Sequence, residues 1–330
     1  MRGRARRARL RSEEGMALLM VLLGLSLILL VVSEFAQAMR LEAATTANFR
    51  RAIAATHLAE AGYYRAVAEI LAESRAEELD ARGNLVFRRT DQTTRVEAPP
   101  RLDVALGAER FSYRITDESA RIQLNRASPD LLGRLLDAMG VERATRDVIV
   151  DSILDWRSTG ENHRLNGAKS DYYLALPVPH RSKNADFDTV EELGQVRGVT
   201  REILYGHGTA ARLVDVVTVA GTGAINVNTV EPVVLRVLGF AEAEIDLLLA
   251  KRPYADLAGL PGPVRRGSQR TRSDVFRIEA WGGGTEPTRT LVAVVRRSTD
   301  PTGAAGVTPL SWQWLDVAHP APSEGAPAPR

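Results

Sequence analysis

The chain has 330 residues, enough for two domains with proper cores, and its 45% hydrophobic and 25% charged content is ordinary for a folded protein. The formal charge is +2, and six arginines between Arg2 and Arg11 account for more than all of it, so the body is mildly acidic and a nucleic-acid surface is disfavoured. Cysteine is absent, which excludes disulfides, thiolate catalysis and thiolate metal sites.

From Met16 to Val32 every residue except Ser26 is apolar or small. On an insertion scale this run supplies on the order of 5 to 8 kcal/mol toward the membrane, enough to span it. The arginines before it stay cytoplasmic under the positive-inside rule, so the bulk of the chain is expected beyond the membrane. A cleaved signal peptide is the alternative, with Ala36-Gln37-Ala38 as its nearest small-x-small site.

Between Ser33 and Glu78 there is no proline and a single glycine, Gly62. Phe35, Met39, Phe49, Ile53, Leu58, Ala61, Tyr64, Val67 and Leu71 recur at mostly helical steps, predicting that the apolar run continues as one amphipathic helix over 16–78. About 60 residues make roughly 90 Å of helix.

A basic leader ending in Gly15, followed by an abrupt apolar helix that continues as a rod, resembles type IV pilins and type II secretion pseudopilins. The resemblance implies cutting by a prepilin peptidase between Gly15 and Met16, and methylation of the new terminus. Residues 1–15 are then the leader and 16–33 the transmembrane segment. Most members of that group carry glutamate at the fifth mature position, whereas this chain has Met20, a loss typical of the minor pseudopilin K family. A carboxylate in hydrocarbon is costly unless partnered, and its absence removes the cost and the pairing together.

Asn84 to Arg89 and Phe111 to Asp117 alternate as half-buried strands do, with Pro99 and Pro100 between them. Helical signals dominate from Gln123 to about Gly262. Strand-like pieces return at Val275 to Ala280, Thr290 to Arg296 and Leu310 to Val317, with turns at Gly282-Gly283-Gly284 and Pro301. The chain is therefore expected to be α+β. A long N-terminal helix joins a small antiparallel sheet, built from 79–121 and 266–318, that is interrupted by an inserted all-helical domain over 122–265. The tail 319–330 is low in complexity and is expected to be disordered.

The helical block contains a partial repeat: IQLNRASPDLLGRLL from Ile122 and INVNTVEPVVLRVLG from Ile225, followed by FDTVEELGQVRGVT from Phe187 and YADLAGLPG from Tyr254. Asn125, Ser128, Asn228 and Thr229 are helix N-cap types. The units resemble helix-hairpin-helix repeats, so a membrane-anchored protein that binds DNA or peptidoglycan is the rival reading. In the DNA-binding units a Gly-x-Gly hairpin offers amides to phosphate. Here Gly198-Val199-Thr200 lacks the second glycine and Pro261 removes an amide from the other hairpin, while lysine is scarce. Packing is the preferred role, and no nucleic acid is expected.

Leader, helix, interrupted sheet and helical insertion together resemble the minor pseudopilin K (general secretion pathway protein K) family, most sharply over Asp151 to Tyr173 and the VEELGQVRGVT segment. The resemblance implies a tip subunit of the type II secretion pseudopilus that helps to initiate the fibre. Its partners would be the minor pseudopilins I and J, other pseudopilins and the prepilin peptidase. It would sit in the inner membrane as a single-pass protein with a periplasmic head, and it would not be an enzyme.

Some pseudopilins hold calcium, and the loop after Asp155 is the place to ask whether this one does; Asp155, Glu161, Asn166 and Asp171 are its oxygen ligands on that reading. Calcium takes six to eight oxygens, usually with several carboxylates. Ser158 and Thr159 stand where acids would serve, and Lys169 adds a positive charge, so a polar loop held by Trp156 and Tyr172 is the other reading. Catalytic signals are poor. His57, His163, His180, His207 and His319 are scattered, Gly206-His207-Gly208 follows a helix-like piece, and Asp151 with Asp155 fits ordinary salt bridging.

Overall fold

The computed structural model describes residues 3–72, 76–80, 83–88, 100–206, 212–263, 268–282, 289–299 and 305–315, with the backbone alone for 3–15, 76, 88 and 299. The expected disordered tail, Gly283, Gly284, Pro301, His207 and Gly208 lie outside the described residues. Residues 1–55 and 56–330 form two separate units.

Helix α1 runs from Gly3 to Leu71. In the first unit every large apolar side chain from Met16 to Val32 is exposed, and this is the one described helix long and apolar enough to cross a membrane. Ser26 Oγ donates to the Leu22 carbonyl at 2.8 Å, so the only polar side chain in the run is satisfied within the helix.

The second unit begins within α1. Strand β1 (Ala76–Leu79) pairs with β2 (Leu85–Arg88) as an antiparallel hairpin. The helix thus stops seven residues before Glu78, because the last positions of the helical pattern are taken by a strand whose partner lies further along the chain. Strands β3 (Val104–Leu106) and β4 (Glu109–Asp117) follow. After a 3₁₀ turn at Glu118–Ala120 come β5 (Ile122–Gln123), α2 (Pro129–Ala138), α3 (Arg143–Arg157), α4 (Ser170–Leu174), a second 3₁₀ turn at Val190–Gln195, α5 (Arg201–Tyr205) and α6 (Leu213–Val216). The chain continues through β6 (Val217–Thr218), β7 (Ile225–Asn226), α7 (Pro232–Leu238), α8 (Glu242–Ala250) and β8 (Gln269–Arg270). It closes with β9 (Val275–Gly282), β10 (Thr290–Thr299) and β11 (Ala305–Leu315).

The main sheet is antiparallel in the order β11-β10-β9-β4-β3, so β4 pairs with β9 across the whole helical insertion, with Ile115 opposite Ile278. This is the α+β arrangement expected from the sequence. Among the described residues β2 pairs with β1 and lies outside this sheet.

Alternation in β4 turns Phe111, Tyr113 and Ile115 toward the end of α1, where Leu58, Ala59, Tyr63, Ala66 and Ile70 meet them together with Phe276, Ile278 and Leu291. Of the expected stripe Leu58 is buried and Ala61 and Val67 pack against this core, but Tyr64 is exposed and its neighbour Tyr63 is buried in its place. At Gly62 the helix lies close against the sheet. A Cβ there would stand 3.1 Å from Ala280 Cβ and 3.2 Å from the Ser112 carbonyl oxygen. Overpacking at such a contact costs about 1 to 3 kcal/mol, so Gly62→Val is expected to lower the thermal unfolding midpoint by several degrees. A melt indistinguishable from wild type would show that helix and sheet separate freely.

A second apolar core fills the insertion, around Leu132, Leu135, Leu136, Ile149, Ile153, Trp156, Tyr173, Leu193, Leu235, Ile245 and Leu248. Polar side chains join it to the sheet. Asp117 at the end of β4 accepts from Ser119 N (2.7 Å), Asn226 Nδ2 (2.9 Å), Thr229 Oγ1 and Ser273 Oγ. Glu77 accepts from Ser273 N (2.6 Å) and from Arg297 Nη2 (2.8 Å). All of these except Arg297 are buried, so each donor and acceptor needs its partner.

Candidate functional site

The helical insertion is built from two copies of one device. In the first, Asn125 Nδ2 donates to the Phe187 carbonyl (3.0 Å) while its Oδ1 accepts from Phe187 N (2.8 Å). In the second, Asn228 makes the same reciprocal pair with Tyr254, at 2.9 and 2.7 Å. An arginine at the end of the second helix of each copy, the last residue of α3 and the second residue past α8, reaches back to the matching carbonyl: Arg157 Nη2 to Ala127 O (2.6 Å) and Arg252 Nη2 to Val230 O (2.7 Å). Burial pulls both guanidinium pKa values down, that of Arg252 to about 10. Parallel pairs complete the likeness, Ile122 beside Val217 and Ile225 beside Gln269.

These contacts correct the capping expectation. Ser128 does cap α2, accepting from Leu131 N at 3.1 Å. Asn125 and Asn228 instead tie each helix pair to its second element, and Thr229 turns to Asp117. An amide side chain can satisfy a backbone N–H and C=O together, which a hydroxyl cannot match in geometry.

The hairpins are arranged for packing. Gly198 takes φ +88°, and a Cβ there would fall 2.9 Å from Ile149 Cγ1, so the turn lies against α3. Of the three lysines, Lys169 is buried and Lys183 is held by Asp188 and Glu192, while Lys251 is exposed at the C-terminal end of α8.

The copies also differ in length. Between Arg252 and Tyr254 lies a single residue, whereas residues 158–186 separate Arg157 from Phe187. This extra loop is where calcium ligands were expected. Asp155 is fully buried, and its carboxylate accepts from Arg164 N (2.9 Å) and Arg164 Nη1 (2.6 Å). Asn166 sends its backbone N and Nδ2 to Asp151, both at 3.1 Å. Glu161 accepts from Asn184 Nδ2 at 2.8 Å. Asp171 lies exposed in the first turn of α4.

The four candidates are therefore not brought to one point. Among the described residues no group of three or more acids or histidines is placed to hold a metal ion. The donor set does not fit calcium: Asp155 is taken by a guanidinium, and the oxygens at the centre of the loop surround an ammonium. Lys169, fully buried, donates to the carbonyls of Asp155 and Ser158, both at 2.6 Å, and to Asn184 Oδ1 at 2.7 Å. Sequence reasoning weighed Lys169 only as a charge against calcium. A lone lysine following a run of oxygen-bearing residues was the available sign.

Trp156 does hold the loop, edge-on to Tyr173 at 5.3 Å and stacked on Phe187. Tyr172 is half out and lies under the Arg197 guanidinium. The groove between α2 and α3 carries Asp130, Arg134, Asp137, Arg146 and Asp147, all in mutual ion pairs, and offers no nucleophile with a base. At the N-terminus α1 passes through Gly15 and Met16 without a break, and Met20 is 63% exposed.

Comparison with known proteins adds the following. Residues 110–219 match the family model described as Type II secretion system (T2SS), protein K. A relative from Escherichia coli (strain K12), named as a type II secretion system protein K, is 28% identical over 187 residues, covering 53% of this chain and 51% of that one. The type II secretion system protein K of Pectobacterium carotovorum subsp. carotovorum is 33% identical over 69 residues, 21% of each chain. The matches thus span about half, or less, of these relatives' length. Among solved structures, a chain of the GspK-GspI-GspJ complex from the enterotoxigenic Escherichia coli type 2 secretion system superposes with a TM-score of 0.60. The superposition covers 82% of this chain and 99% of that one at 17% identity, a likeness of fold.

Proposed function

We propose that this chain, which carries a type II secretion system protein K domain at residues 110–219, is the minor pseudopilin at the tip of a type II secretion pseudopilus and helps to initiate the fibre that exports proteins across the outer membrane. The observation that carries this reading is the interruption of the sheet: a helical domain with its own core enters between β4 and β9 of a sheet packed on the end of α1. Met16 to Val32 would lie in the inner membrane, with residues 1–15 on its cytoplasmic side and the bulk of the chain in the periplasm. A head enlarged in this way obstructs a further subunit above it, and Met20 cannot recruit one through a buried carboxylate. Both features suit a first subunit better than a repeating one. The role is structural, with binding surfaces in place of a reaction centre.

The minor pseudopilins I and J are the partners this reading assigns, and a prepilin peptidase is the enzyme that would prepare the chain. Co-expression with the peptidase and with I and J, followed by mass spectrometry and affinity purification, tests both. A mature chain beginning at methylated Met16, lost in Gly15→Ala, and a stable complex with I and J are the expected results. A chain beginning at Met1 or after Ala38, or one that leaves I and J in the flow-through, would remove the proposal.

A further inference from the structure

We infer that the ammonium of Lys169 serves as the built-in cation of the 158–186 loop, so that this segment folds without a divalent metal ion. The inference is independent of the role assigned to the whole chain. The second repeat copy passes from Arg252 to Tyr254 with Pro253 alone between them, so the loop of the first copy is an addition that must supply its own interior. At its centre two carbonyl oxygens at the C-terminal end of α3, Asp155 O and Ser158 O, and Asn184 Oδ1 from the far end of the loop converge on one point. Oxygens converging in a buried place repel one another unless a positive charge sits among them. Calcium would require six to eight such oxygens. Three are what an ammonium with three N–H donors can satisfy, and the two carbonyls can only accept, so all three protons of Lys169 are used.

The surrounding carboxylates follow the same logic. Asp155 points to Arg164 and Glu161 to Asn184, so the nearest anions are neutralised or hydrogen-bonded without leaving lone pairs directed at a common centre. Asn184 links the two layers, donating to Glu161 and accepting from Lys169. To enter, a divalent ion would have to displace both the ammonium and the guanidinium from buried partners.

The test uses the full chain in detergent, with calcium chloride as the probe. Wild type is expected to melt at the same temperature in excess calcium and in chelator, and calorimetric titration is expected to give no saturable binding. Limited proteolysis reads the loop itself. Lys169→Met is expected to raise cleavage within 158–186 by about tenfold or more, in both calcium and chelator, because cleavage follows the open population. Should that variant fail to fold, Asn184→Ala removes one acceptor, keeps the charge, and is expected to shift cleavage in the same direction. Saturable calcium binding that raises the wild-type melting temperature and disappears in Asp155→Asn would overturn the inference. Loop cleavage unchanged in both variants would overturn it equally.

Discussion

Gly167→Ala is expected to destabilise the helical insertion by about 3 kcal/mol or more, an effect large for one methyl group. A Cβ at Gly167 would overlap Asp155 Oδ2 and stand 3.2 Å from the Asp151 carbonyl oxygen. The carboxylate has little room to yield: it is buried, and its two oxygens are held by Arg164 N and Nη1. Moving it breaks both bonds and leaves a buried charge without compensation, the situation that costs most in a protein interior. The disturbance should spread, because the Gly167 carbonyl accepts from Arg197 Nη1 at 3.1 Å and Lys169 lies two residues on. Urea unfolding of wild type and variant measures the difference directly. A change below about 1 kcal/mol would mean that the loop relocates Asp155 cheaply, and that the packing around it is looser than its contacts imply.

Much of the fold is legible in the sequence because it depends on period. The apolar run, the rod and the strands flanking the insertion each follow from spacing, and pairing of strands on either side of a helical block follows from their alternation. What escaped depends on partners distant in sequence. Helix α1 ends at Leu71 because β1 finds β2, and no property of residues 72–78 alone announces that pairing. Tyr63 and Tyr64 are equivalent to a pattern that tolerates steps of three to five, and only the position of the sheet decides which is buried.

The insertion shows the same division. Its repeat is visible from Ile122 and Ile225 onward, including both asparagines, but the use of those asparagines is not. Cap preferences are local, whereas Asn125 reaches Phe187 and Asn228 reaches Tyr254. The loop, for which calcium ligation and a polar loop held by Trp156 and Tyr172 are both open in the sequence, follows the same division. Acids near Asp155 suggest cation binding whichever cation they face, and the cation was already in the chain, as Arg164 and Lys169.

The junction between sheet and insertion should make stability depend on pH in a direction opposite to that of an ordinary ion-paired carboxylate. Complete burial pushes the Asp117 carboxyl up to about 6, with the Glu77 carboxylate adding to the effect and the donors Ser273, Thr229 and Ser119 opposing it. In the unfolded chain the same group titrates near 3.8. Between these values the native state keeps a proton that the unfolded state has released, so stability falls as pH rises. The contribution is fully present below about pH 4 and lost above about pH 6, amounting to about 2 to 3 kcal/mol. Glu231, also raised by burial with Asp215 beside it, works in the same direction, while Glu279 is held down by Arg114 and Arg277 against its own burial. The wild-type curve alone therefore mixes several groups. Asp117→Asn isolates one of them, because the amide retains an acceptor for Ser273 and Thr229 but cannot ionise. Unfolding free energies measured across this range should show wild type losing stability relative to the variant as pH rises from 4 to 6.5. Parallel curves would show that Asp117 stays charged throughout, its four donors outweighing burial, and the junction would then be an anion site built into the fold.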